Sequence, residues 1–165
     1  MKKIVSVVVL LIVAGTIFHF SSQTYEEQTL VPLLQHLLPG EPCARWLSYV
    51  KVYYWGQEIS VEARGYYYFI EFFIRKFAHL FLFGCLAVAL FYVYLLWRPD
   101  QVLEGGAAAL AGTGVYAAFD ELHQMQTGGR TPLLQDVLLD LTGAAIALLL
   151  FVPFYVWKRY KSGRR

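Results

Sequence analysis

The chain has 165 residues, of which 58% are hydrophobic and only 16% charged, with a net charge of +2. Ordinary soluble domains carry about 25% charged residues, and a chain this small needs polar surface to stay dispersed. These figures argue against a soluble globule and a disordered chain. The lack of a basic stripe interleaved with aromatics argues against nucleic-acid binding, and Cys43 and Cys85 form no C-x-x-C pair or disulfide framework.

Residues 4–20 follow Lys2-Lys3 as an unbroken apolar run. The run passes any signal-peptide cleavage point near Ala14, so a retained transmembrane helix is expected. Residues 21–76 form a long loop that should carry structure of its own. Within it, residues 31–39 read as a short helix lying on the membrane, bracketed by Pro32 and Pro39. Residues 48–54 and 59–63 alternate in polarity around Trp55-Gly56-Gln57-Glu58, a β-hairpin signal. Residues 66–73 are aromatic and are placed at head-group level, leading into a second span at 77–97.

A third span, 105–122, is rich in Gly and Ala. Small residues four apart, as in Ala108/Gly112 and Gly114/Ala118, let helix backbones approach, so this helix is expected at the centre of the bundle. A fourth span, 136–157, carries Pro153 near its end, where a kink is expected. The expected fold is an all-α membrane protein with four transmembrane helices, forming a single domain over 1–165.

Basic residues set the expected orientation. Segments 1–3, 98–104 and 158–165 carry eight Lys and Arg in 18 residues, whereas 21–76 and 123–135 carry six in 69. That bias puts both termini in the cytoplasm, with Trp97 and Trp157 at the inner interface.

The intramembrane polar residues then gather at the outer end of every helix. Ser21, Ser22 and Gln23 close the first span. Arg75, Lys76 and His79 open the second. Asp120, Glu121, His123 and Gln124 end the third, Arg130 follows, and Asp136 and Asp140 open the fourth. Spacings of three or four put Lys76 with His79, Asp120 with Gln124, and Asp136 with Asp140 on shared helix faces. Carboxylates in hydrocarbon are costly and turn inward to pair. One outward-opening pocket is expected, with Lys76, His79 and Arg130 facing Asp120, Glu121, Asp136 and Asp140.

These residues also resemble a known family. Phe20-Ser21-Ser22-Gln23, Arg75-Lys76-Phe77-Ala78-His79, Asp120-Glu121-Leu122-His123-Gln124, Gly129-Arg130, Asp136-Val137 and Gly143 together look like a VanZ-like protein. The resemblance covers nearly the whole chain. Three positions depart from the pattern: Phe83 replaces a common tyrosine, Asp140 a common asparagine, and Gly128 a usual proline. The resemblance implies a bacterial cytoplasmic-membrane protein associated with sensitivity to the glycopeptide teicoplanin.

Two functions follow as expectations. In one, the pocket binds an anionic envelope lipid or lipid-linked cell-wall precursor through Ser22, Lys76, His123, Gln124, Arg130, Asp136 and Asp140. In the other, it is an intramembrane acid–base hydrolase or transferase acting on a lipid head group. Asp120 or Glu121 would then be the base and His79 its partner, with Lys76 and Arg130 stabilising negative charge. No cofactor is expected. A divalent metal held by His and carboxylate groups is an alternative for which no spacing motif speaks.

Overall fold

The computed structural model describes residues 2–24, 26–128 and 134–162. Four long helices are apolar enough to cross a membrane: α1 (Lys2–Ser21), α5 (Tyr66–Trp97), α6 (Val102–Gly128) and α7 (Leu134–Ser162). Between α1 and α5 lie α2 (Val31–Leu37), α3 (Ala44–Leu47), β1 (Val52–Tyr54), β2 (Gln57–Ile59) and α4 (Val61–Arg64). The chain divides into a bundle unit, Met1–Gln23 with His79–Arg165, and a loop unit, Thr24–Ala78.

In the bundle unit the core falls into two layers along α5. Phe83 and Leu86 pack with Ile17 of α1 and Ala117 of α6. Ala87, Phe91 and Leu95 pack with Ala109 of α6 and with Ala144 and Leu148 of α7. The expectation that the Gly/Ala-rich helix sits at the centre is corrected here. In α5, 39% of the apolar window is buried, against 22% in α6. Small residues on α6 do bring it close to its neighbours: a Cβ on Gly105 would meet Tyr94, and one on Gly114 would meet Leu141. Leu103, Val115 and Phe119 nevertheless face outward. Aromatic bulk on α5 fills the interior, and the small residues of α6 accommodate it.

The tightest approach is between α5 and α7. A Cβ on Gly143 would overlap the backbone carbonyl of Leu80, and one on Gly84 would lie 3.1 Å from the Gly143 carbonyl oxygen. Only glycine permits this backbone-on-backbone crossing. Helix α7 also runs on through Pro153 to Ser162, about two further turns, rather than ending beside it. At that far end Arg159 binds the Pro99 carbonyl and, at 2.6 Å, the Asp100 carboxylate, while the Lys3 ammonium lies 5.0 Å from the Trp97 ring.

In the loop unit the short helix expected over 31–39 forms as α2, and the hairpin forms as well. The hairpin turn is tighter than the four residues expected: Trp55 and Gly56 alone make it, both with positive φ, and Tyr54 pairs with Gln57. Such a two-residue turn matches the twist of the strands it joins. The second alternating stretch is only partly strand. Ser60 accepts a hydrogen bond from the Ala63 amide and caps the short helix α4.

The start of α5 is anchored within this unit. The Tyr66 hydroxyl donates to the Pro42 carbonyl at 2.8 Å, and Tyr67 donates to that of Leu38 at 3.2 Å. Glu71 is wholly buried and accepts from the Leu30 amide at 2.9 Å and from Arg75 Nη2 at 2.8 Å. Arg75 in turn donates to Gln28 at 2.9 Å. This carboxylate pins the chain where it enters α2.

Candidate functional site

The polar residues of the bundle unit collect where α1 ends, α5 enters the unit, α6 approaches its C-terminus and α7 begins. Helix α6 continues to Gly128, so the run from Asp120 to Gln124 lies inside its last turns rather than at its end. Helix α7 begins at Leu134, which puts Asp136 in its first turn, where the helix dipole favours a carboxylate. Asp140 lies six residues beyond Leu134, about 9 Å along the axis at 1.5 Å per residue.

The central contact is between His79 Nδ1 and Asp140 Oδ1, at 3.4 Å. It follows from the Leu80–Gly143 crossing, because His79 precedes Leu80 and Gly143 is three residues after Asp140. The distance is long for a hydrogen bond. Asp140 has no solvent exposure, and among the described residues neither of its oxygens has a hydrogen-bond partner. An unsatisfied buried carboxylate is costly and calls for an explanation. His79, by contrast, keeps about a third of its side chain exposed (32%), stacked on Phe83 at 6.1 Å between ring centroids. Asp140 therefore orients a histidine that can still be reached.

The acids converge from two helices. His79 acts electrostatically on both Asp120 and Asp140, and Asp120 and Asp136 act on Asp140. Asp120 is almost fully buried, and its Oδ2 accepts from Gln124 Nε2 at 2.9 Å, the contact expected from their four-residue spacing. Glu121 is buried as well. Of the acids expected to face His79, Asp140 makes an ion pair with it and Asp120 acts on it electrostatically.

Ser22 and His123 join α1 to α6. The Ser22 hydroxyl donates to the Phe18 carbonyl at 2.7 Å and lies 3.0 Å from His123 Nε2. Its single proton is engaged with Phe18, so His123 Nε2 is the donor to Ser22. The His123 ring stacks on Phe18 at 4.6 Å and on Phe119 at 6.2 Å. Thr127 adds a hydrogen bond to the Ser21 carbonyl at 3.0 Å. These contacts fasten the rim of the site, where His79, His123 and Asp136 each keep partial exposure.

Three further expectations have distinct outcomes. Lys76 belongs to the loop unit, where its ammonium lies 4.5 Å from the Tyr54 ring and 5.6 Å from that of Phe72. Arg130 lies outside the described residues. At the tyrosine position of the family pattern, Phe83 is fully buried. The nearby Tyr116 turns its hydroxyl away, to the Ala14 carbonyl at 2.7 Å. No three His, Cys, Asp or Glu among the described residues converge as metal ligands do. Sequence reasoning missed Glu71, whose signal was the four-residue spacing to Arg75 inside an aromatic run.

Four helices long and apolar enough to cross a membrane, with a carboxylate–histidine pair between two of them, mark a multi-pass membrane protein. The chain belongs to the VanZ/LLP1 family, whose profile matches residues 6–157. No curated protein and no solved structure matches it.

Proposed function

We propose that this protein binds the polar head of an envelope lipid or lipid-linked cell-wall precursor at the outer leaflet, and thereby influences glycopeptide sensitivity. The observation that carries the reading is the His79–Asp140 pair, in which a fully buried carboxylate without a hydrogen-bond donor among the described residues backs a partly exposed histidine. Orientation by the basic segments puts that pair at the outer face.

The expectation of an anionic head group rested on Lys76 and Arg130. Among the described bundle residues, Asp140 pairs with His79, Asp120 acts on it electrostatically, and Asp136 acts on Asp140. Such a site favours a head group that brings donors, as an ammonium or sugar hydroxyls do. In vesicles containing phosphatidylethanolamine with a photoreactive head group, adducts should form at His79 and its neighbours and fall sharply in His79→Ala. Labelling that is equal in the two proteins would contradict the reading.

A second reading is favoured by the same pair. A histidine held by a carboxylate through Nδ1 is arranged as a general base acting through Nε2, with Asp140 as the positioning residue. Incubating the purified protein with labelled envelope lipids separates the two. Turnover abolished by His79→Gln supports catalysis, and retention of lipid without turnover supports binding.

A further inference from the structure

We propose that the bundle unit seats one acyl chain of its lipid ligand in an apolar groove between α1, α5 and α7, next to the His79–Asp140 pair. This rests on the head-group reading and deepens it from a polar site to a two-part site for an amphiphile.

The groove has a volume of about 590 Å³ and is lined from Val5 to Val13 on α1, Leu80 to Tyr92 on α5 and Gly143 to Phe151 on α7. Its walls are almost wholly apolar. It begins at Leu80 and Gly143, the residue after His79 and the residue one turn beyond Asp140. Gly84 and Gly143, where the α5 and α7 backbones meet, are among its lining residues. A head group at His79 therefore has its own tail directed into the groove.

Size selects the occupant. The twelve steps from Leu80 to Tyr92 span about 18 Å at 1.5 Å per residue. One leaflet contributes about half of a hydrocarbon core roughly 30 Å thick, so the groove runs about the length of one leaflet's tails. A single hydrocarbon chain matches that length. Lipid tails are as apolar as leucine, so a groove in a membrane gains little from the hydrophobic effect. What it offers is close packing along a fixed path, while the polar pair supplies selectivity for the head.

The test uses the full chain in phosphatidylethanolamine–phosphatidylglycerol vesicles containing a trace of phosphatidylethanolamine with a diazirine midway along one acyl chain. Adducts at Cys85, Val88 and Ala147 should exceed those at the outward-facing Val115 and Leu149 by at least about threefold, the scale of a packing preference over bulk lipid. Ile146→Trp, which fills the groove, should remove the excess, and Leu149→Trp, on the outer face, should preserve it. Even labelling around the bundle, or chain-to-chain adducts in place of lipid adducts, would overturn the proposal. The two readings fail separately. Head-group labelling at His79 with even acyl labelling defeats the groove alone, whereas groove labelling without head-group labelling defeats the polar site alone.

Discussion

Glu71 in the loop unit and Asp140 in the bundle unit are both carboxylates with no solvent exposure, yet their surroundings differ completely. Glu71 accepts from the Leu30 amide and from two nitrogens of Arg75, and Arg75 is itself held by Gln28. Asp140 has a 3.4 Å contact to His79 and no hydrogen bond among the described residues. The difference separates two reasons for burying a charge. A carboxylate met by donors on several sides fastens backbone, as Glu71 fastens the entry to α2. A carboxylate left short of donors beside a reachable histidine is costly to the fold, and the proposed function accounts for it by what the site would bind.

The comparison breaks most readily at Glu71. Replacing it by Ala should destabilise the loop unit by about 3 kcal/mol, because Arg75 and the Leu30 amide lose their partner together. Thermal unfolding in detergent, with hydrogen exchange at Leu30, reads this out; an unchanged protein would show that the network is ornamental. Next in size is Gly143→Val. Its side chain would drive α7 away from the Leu80 carbonyl, at a cost of about 2 kcal/mol, and would separate His79 from Asp140. Gly106→Ala is the control: a Cβ there meets nothing within 4 Å, and stability should hold or rise.

Asp140→Asn sharpens the contrast by reversing its sign. Removing an ill-satisfied buried charge should stabilise the bundle by about 1 kcal/mol, seen as a raised unfolding temperature. A marked loss of stability would instead place Asp140 with Glu71 as a structural acid. The smallest effect belongs to Lys76→Gln, which loses the contacts to Tyr54 and Phe72 and should cost about 0.5 kcal/mol in the same measurement.

Much of this was legible in the sequence, for identifiable reasons. Apolar runs of membrane length announce helices whatever their neighbours, because lipid leaves the backbone no other way to satisfy its hydrogen bonds. Four-residue spacing likewise announced the Asp120–Gln124 contact, since the helix alone creates it. Which of the facing acids pairs with His79 was not legible. It depends on where α5 crosses α7, and that crossing is set by two glycines far apart in the chain, Gly84 and Gly143. Nor was the placement of α6: small residues signal close approach without saying which helix lies at the centre. Glu71 escaped because the Leu30 amide that donates to it lies 41 residues away, and only that long-range contact distinguishes the buried Glu71–Arg75 pair from an ordinary four-residue helix pair. The family pattern pointed to Asp136 and Gly143, and the structure supplies a reason for the glycine in the overlap that any side chain there would have with Leu80.

The central claim is that Asp140 is kept for binding and not for folding. Native mass spectrometry of the full chain, released from membranes under identical conditions, measures retained lipid directly. The account predicts that Asp140→Asn unfolds at a temperature at least as high as the parent but retains markedly less lipid. Equal lipid retention at equal stability would contradict it.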